Sequence, residues 1–312
     1  MQTGLILIGE PMGLLIAQAE GKLSDVKAYD FAIAGAEYNV AIGATRLGHK
    51  VTYITKLGND PFGHHIKQEL NNNHINSEYV TFSTTKPTGF MLKGRTNVGD
   101  PDIFYFRKNS AASTLNTDDI TNICLKNYSH IHFTGITPAL SATTKEATIF
   151  LMKKARKEGL FISFDPNLRP QLWTTPDDMI STINELASYA DLVLPGIAEG
   201  KILVGTDNPK DINDFYIKNG ASICVTKCGS KGAYVSTKDG KSYMVEGYKV
   251  EKVVDTVGAG DGFATGVITG IMEGLPLEQA VKRGTAIGAI QVMHRGDNEG
   301  LPTKEQLINF MS

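Results

Sequence analysis

Short, unbroken runs of apolar residues, each followed by a stretch of helical periodicity, constrain this chain more than any other feature. The runs lie at residues 5–9, 51–55, 131–134, 161–165, 192–195 and 223–226. Half-exposed strands alternate apolar with polar residues. Continuous runs such as these suit strands covered on both faces. Between them the spacing predicts helices over 39–47, 62–72, 143–158, 176–190, 262–273, 277–293 and 303–311. Gly48, Gly159 and Gly274 stand where helices stop, and Pro61 and Pro176 where they start. Alternation of this kind predicts an α/β protein with a mainly parallel sheet. Two intervals, 12–33 and 81–108, lack the helical pattern. The second is read as strands at 88–95 and 103–108 around Thr96-Asn97-Val98-Gly99-Asp100-Pro101, whose Asn, Gly, Asp and Pro favour a turn. Both intervals are expected to form a small accessory sheet inserted into one body of 312 residues.

Charge and cysteine usage exclude several function classes. The net charge is −2, from 31 Lys+Arg against 33 Asp+Glu, and no long basic block is present, which argues against a duplex-binding protein. Apolar stretches are interrupted by Gly, Glu or Lys before they could span a bilayer. The first residues, Met1 to Glu10, lack the charged region and cleavage site of a secretory signal. Three cysteines make no disulfide framework, so reduced thiols and a cytoplasmic location are expected. Cys224 and Cys228 have no further ligands at zinc spacing. His130 and His132 alternate on a predicted strand without a third ligand and are read as core or edge residues.

The most informative stretch runs from Val253 to Gly266. An apolar strand is expected to end at Asp255; Gly258 and Gly260 then permit unusual backbone angles, and a helix follows with Phe263, Val267 and Ile271 on one stripe. A glycine turn feeding a helix presents unpaired N–H groups and the positive end of the dipole, which suits a phosphoryl group. Asp261 stands at the mouth of that helix. It is either a first-turn acid or a base that accepts a proton from a substrate hydroxyl. A dinucleotide-linked oxidoreductase would also be α/β. The G-x-G-x-x-G pattern fails, however, because its third glycine position is Phe263, and no Gly-Lys-Ser/Thr of a P-loop follows.

Asp255-Thr256-Val257-Gly258-Ala259-Gly260-Asp261 resembles the signature of the PfkB (ribokinase-like) carbohydrate kinases. A second match precedes it by about two hundred residues: Ala34-Gly35-Ala36-Glu37-Tyr38-Asn39-Val40-Ala41, Leu47-Gly48, and Lys56-Leu57-Gly58-Asn59-Asp60-Pro61-Phe62-Gly63. The resemblance covers essentially the whole chain. The run from Phe104 to Ser113, Asp165-Pro166-Asn167-Leu168-Arg169-Pro170 and Arg295-Gly296-Asp297 are similar to the 2-keto-3-deoxygluconate kinases within that family. Those enzymes use ATP and magnesium to phosphorylate the 6-hydroxyl of a keto-deoxy sugar acid. A fructokinase or other neutral-sugar kinase of the same family is the alternative.

The resemblance implies a three-layer fold with a β-sheet lid. It implies Asp261 as general base and the amides of Gly258, Ala259 and Gly260 as an anion hole. It places Gly35, Asn39, Phe90, Tyr105, Arg107, Arg169 and Asp297 at the substrate; Phe90 stands where the family often has Tyr. Lys227, Gly229 and Gly232, with Gly258 and Gly260, would meet the nucleotide. Glu199 would be an outer-sphere magnesium ligand, although Gly196-Ile197-Ala198-Glu199 departs from the family's Asn-x-x-Glu.

The residues support several of these roles without settling them. On a strand, Ile103, Tyr105 and Arg107 share one face and Phe104, Phe106 and Lys108 the other. Arginine suits a carboxylate that a neutral sugar lacks, yet Arg107 could equally sit in a surface ion pair and Arg169 could simply tie down its loop. Lys227 and Gly229 could belong to an ordinary hairpin, Glu199 to a solvated helix start, and Asp297 to a turn. With Tyr105 and Arg107 inward, Phe104, Phe106 and Met91 are expected outward. An apolar outer face predicts a homo-oligomer, at least a dimer, joined through the lid.

Overall fold

The computed structural model describes residues 4–96 and 102–312. The elements open with β1 (Gly4–Ile8), β2 (Met12–Ala17), β3 (Tyr29–Ala34), α1 (Ala36–Arg46), β4 (Val51–Gly58), α2 (Pro61–Asn72), β5 (Val80–Ser83), β6 (Phe90–Lys93) and β7 (Ile103–Phe106). The middle of the chain forms α3 (Thr117–Thr121), β8 (Tyr128–Thr134), α4 (Ala142–Lys157), β9 (Phe161–Asp165), α5 (Pro176–Ala187), β10 (Leu192–Val193), α6 (Ile197–Leu203) and α7 (Pro209–Lys218). Then come β11 (Ile223–Lys227), β12 (Ala233–Thr237), β13 (Ser242–Val245), α8 (Ala259–Met272), α9 (Leu277–Val292) and α10 (Lys304–Met311).

Strand β1 shows why the apolar runs do not alternate. Leu5 and Leu7 pack into one core with residues of α1, α8 and α9; Ile6 and Ile8 pack into the other with α4, α5 and α7. Both faces of the nine-stranded sheet are therefore covered, giving three layers. Its order is β13-β12-β11-β10-β9-β8-β1-β4-β5; the pairs from β11 to β5 are parallel, and β12 and β13 add antiparallel at one edge. The order reverses beside β1, where α/β sheets open a crevice at their C-terminal edge.

A separate four-stranded sheet, β3-β2-β6-β7, forms the lid. Cross-strand partners fix its faces, because directly opposed residues point the same way. Phe90 opposes Phe106 and Leu92 opposes Phe104, while Met91 opposes Tyr105 and Lys93 opposes Ile103. Met12, Leu14, Ala34 and Met91 form the buried inner patch. Met91 thus points inward with Tyr105, not outward as its apolar character suggested. On the outer face, Phe90 stacks on Phe106 at 4.7 Å and on Phe62 of α2 at 5.5 Å. Phe104 and Phe106 are 56% and 51% exposed.

Other boundaries move for local reasons. Strand β5 lies in the interval read as lid but pairs with β4 at the edge of the large sheet. Residues 253–255 are no strand; they form an extended segment whose Val254 amide bonds the Val292 carbonyl at the end of α9. The turn read at 97–101 lies outside the described residues. His132 is fully buried against the Ser163 hydroxyl, and burial pushes the pKa values of His130 and His132 down to about 4 and about 3. Both are neutral core residues, and no group of three metal-ligating side chains exists among the described residues.

Candidate active site

Loops at the C-terminal ends of β1, β8, β9 and β11 meet the start of α8 beneath the inner face of the lid. They enclose a cavity of about 390 Å³.

The turn before α8 is shaped by its main chain. Gly258 is the N-cap, with φ 76°, and a Cβ there would lie 2.1 Å from the Asp297 carbonyl oxygen, so only glycine fits. The Asp255 carboxylate accepts the Val257 N–H at 3.1 Å and bends the approach to the turn. Because Gly258 already caps, α8 begins at Ala259, earlier than the spacing predicted, and Asp261 falls in its first turn. Among the described residues no acceptor faces the amides of Gly260 and Asp261. They are open donors at a helix N-terminus.

Asp261 is buried, and two amides grip it. Asn39 Nδ2 donates to one carboxylate oxygen at 2.8 Å and Asn167 Nδ2 to the other at 3.2 Å. Burial pushes its pKa up to about 7; the Asn39 hydrogen bond pulls it down and Asp165 adds to the rise. A carboxylate poised near neutrality is suited to take a proton from an alcohol. Asn39 is itself oriented by Asn298, which donates to its Oδ1 at 3.2 Å. Asn167 reaches Asp261 from a backbone with φ 40°, a conformation asparagine tolerates better than most residues.

Beside the turn stands Lys227, whose ammonium bonds Asp165 at 2.6 Å. A Cβ on Gly260 would lie 3.9 Å from its Nζ, so the cation overlooks the open amides. Against the burial that would lower it, the Asp165 and Glu199 carboxylates hold the Lys227 pKa above its ordinary value. Glu199 accepts the Leu168 and Gly196 amides at 2.9 and 2.7 Å, and burial raises its pKa. With an amide on each oxygen, it suits contact with a hydrated cation better than direct ligation.

The lid contributes longer side chains. Arg107 is buried; its Nε donates to Glu10 at 2.7 Å and its Nη2 pairs with the same carboxylate, which also accepts the Ser110 hydroxyl. The guanidinium carbon lies 5.8 Å from the Tyr105 ring centre. Arg169 is tied down by one nitrogen, Nη1, to the Leu168 carbonyl at 2.8 Å. Asp297 is buried with an Oδ1 that no hydrogen bond satisfies; burial pushes its pKa up to about 6, with Lys93 pulling it down. Gly35, with φ 149°, lets α1 start at Ala36 against the wall of the cavity.

Most residues singled out in the sequence meet here: Gly35, Asn39, Tyr105, Arg107, Arg169, Glu199, Lys227, Gly258, Gly260, Asp261 and Asp297 all line the cavity. Ala259 sits in the same turn but faces a second, mostly apolar cavity of about 370 Å³, which Gly229 and Gly232 also line. Phe90 does not join them: register places it on the outer face of the lid, so its missing hydroxyl removes nothing from the cavity. Asn39 is bonded to Asp261 rather than standing free for a ligand. Glu10, Lys93 and Asn167 line the cavity as well, though sequence reasoning missed them. Asn167 lies inside a motif already singled out, and Glu10 directly follows the strand edge where ligands bind; nothing local marks Lys93.

Comparisons with known proteins identify the family and the fold. The model of the pfkB family of carbohydrate kinases matches residues 2–304. The 2-dehydro-3-deoxygluconokinase of Bacillus subtilis (strain 168) is 46% identical over 100% of this chain and 96% of its own length. The crystal structure of a PfkB protein from Polaromonas sp. JS666 superposes with a TM-score of 0.91 at 43% identity, covering 98% of this chain and 99% of that one. An E. coli protein named ribokinase II, in complex with ATP and Mg²⁺, superposes with a TM-score of 0.89 at 25% identity, each chain 99% covered. With the family model matched over nearly its whole length and a relative 46% identical across all of it, the chain belongs to the pfkB family of carbohydrate kinases.

Proposed function

We propose that this kinase transfers the γ-phosphoryl group of ATP to the 6-hydroxyl of 2-keto-3-deoxygluconate (2-dehydro-3-deoxygluconate). The observation that carries the reading is Asp261, held by Asn39 and Asn167 beside the open amides of a helix N-terminus. Asp261 takes the hydroxyl proton as the oxygen attacks phosphorus. The Gly258, Gly260 and Asp261 amides and the Lys227 ammonium lie where charge gathers on the migrating group; the Ala259 amide, expected beside them, instead turns back onto the Thr256 carbonyl at 3.4 Å. Two arginines under the lid support a sugar acid over a neutral sugar. Arg107 keeps Nη1, and Arg169 keeps Nε and Nη2, without acceptors among the described residues. The identity to the Bacillus subtilis enzyme supports the same choice.

The apolar cavity lined by Gly229, Gly232, Val250, Phe263 and Val292 fits an adenine ring, and it meets the substrate cavity at Lys227 and Gly260. Magnesium fits at Glu199 through water, since that carboxylate already accepts two amides. When bound, the ion offsets charge on the phosphates. We further propose a cytoplasmic protein and a homo-oligomer joined through the aromatic outer face of the lid. Light scattering at micromolar concentration tests the latter, and a monomer removes it.

ADP release across a panel of sugars and sugar acids tests the substrate. The expected result is the highest kcat/KM with 2-keto-3-deoxygluconate. Faster turnover of fructose or ribose would overturn the sugar-acid assignment.

A further inference from the structure

We infer that Lys93, on the inner face of the lid, is a positioning residue that fastens the lid to the catalytic turn and sets the turn for phosphoryl transfer. Lys93 closes β6 opposite Ile103, and its side chain is 6% exposed. Its ammonium lies 2.9 Å from Asp255 Oδ2 and 3.9 Å from Asp297 Oδ1. These two acids bracket Gly258. Asp255 bends the chain into the turn through the Val257 amide, and the Asp297 carbonyl packs where a Cβ on Gly258 would be. Among the ion pairs of the described residues, those of Lys93 are the ones that join the four-stranded sheet to the C-terminal half.

A buried ammonium is costly unless acids compensate it, and removing it leaves Asp255 short of its cation. The lid's seat and the turn's shape are therefore one arrangement. With the lid seated, Asp255 is held on one oxygen by Lys93 and, at 3.5 Å, by the Gly296 amide, and on the other by the Val257 amide. With the ammonium gone, that oxygen keeps only the long Gly296 contact, the carboxylate can turn toward water and release Val257, and the amides after Gly258 lose their aim. Lys93 bonds neither the base nor its asparagines; it acts through Asp255. The inference rests on the proposed role of the 258–261 turn but not on which sugar is phosphorylated.

The test is ADP release by Lys93→Met, Lys93→Arg, Asp255→Asn and the Lys93→Met/Asp255→Asn double variant. The acceptor is whichever of the panel the unsubstituted enzyme turns over fastest, so a wrong sugar assignment does not disturb the result. Lys93→Met is expected to lower kcat by roughly tenfold or more while both KM values stay within about threefold. Lys93→Arg should recover most of the loss, and the double variant should be no slower than the slower single. If Lys93→Met does not fold, Lys93→Gln carries the same readouts. A kcat within about twofold of the unsubstituted enzyme, or single losses that multiply in the double variant, would overturn the inference.

Discussion

The floor and the roof of the cavity are built on different physics. The floor belongs to a sheet buried on both faces; its main chain supplies a glycine with φ 76° and open amides at a helix start, beside Asp261 gripped by two asparagines. The roof is a four-stranded sheet with one aromatic face outward; it reaches the cavity with the long side chains of Tyr105 and Arg107, while its Lys93 pairs with Asp255 of the floor. Main-chain donors cannot be exchanged by substitution, whereas side chains can. On the proposed function, the chemistry of transfer is thus assigned to the floor and the choice of acceptor to the roof. Substitutions on the two sides should separate kinetically.

The largest effect is expected on the floor. Asp261→Asn keeps the volume and one of the two asparagine contacts but removes the proton acceptor, so kcat should fall by roughly 10²–10⁴. Calorimetry should still detect both ligands. Near-normal turnover would place the base elsewhere. In the unsubstituted enzyme the same group sets the acid limb: with a pKa pushed to about 7, kcat/KM should drop as pH falls below that value, by about tenfold per unit. A flat profile between pH 5 and 8, probed in steps of about one unit, would count against Asp261 as that base.

On the roof, Arg107→Ala should act on the acceptor alone. A loss of roughly 10–100-fold in kcat/KM for the sugar acid is expected, with KM for ATP unchanged. The substitution also leaves Glu10 buried without its cation, so a lower melting temperature should accompany it. Glu10→Gln sharpens the comparison: it releases Arg107 from its anchor without removing the guanidinium, and should raise the acceptor KM by a smaller factor. An equal loss for ATP and sugar acid in either variant would break the division between floor and roof. Asn167→Ala, back on the floor, should cost about tenfold in kcat, the worth of one hydrogen bond to a charged group, and leave both KM values alone.

How legible these features were depended on whether one residue's surroundings were local. The runs that became β1, β4, β8, β9 and β11 could be read because burial on both faces leaves an unbroken apolar signature. The floor's turn could be read because its glycines and Asp261 are adjacent in the chain. Val253 and Val254 looked like strand residues, yet Val253 lines the second cavity and is 56% exposed; apolar character there lines a cavity instead of a sheet. The phase of β6 was not legible, since Phe90, Met91 and Leu92 are all apolar and alternation cannot say which points inward. Glu10 meets Arg107 across 97 residues of chain, and Lys93 meets Asp255 across 162. No local pattern encodes such partners.

The smallest predicted effect concerns the cost of keeping the base ready. The ordinary aspartate pKa is 3.8, and burial raises that of Asp261 to about 7. The folded protein therefore prefers the protonated form. Its contribution to stability is full below about pH 4, declines as pH rises, and is gone above about 7. Asparagine never ionises but accepts only one of the two asparagine hydrogen bonds, so Asp261→Asn should fall below the unsubstituted enzyme near pH 4 and exceed it at pH 8. A tenfold change in proton affinity between the folded and unfolded chain corresponds to about 1.4 kcal/mol, but the asparagines that grip the carboxylate bind a neutral amide less well. A net gain of roughly 1–2 kcal/mol at pH 8 is expected, read from urea unfolding without ligands. The pull of Lys227 and Arg169 on the carboxylate and the push of Asp165 vanish with its charge, and they are already contained in the Asp261 shift. If the variant is instead less stable at pH 8 than at pH 4 relative to its parent, the buried carboxylate is fully compensated by its neighbours, and the floor stores no strain for catalysis.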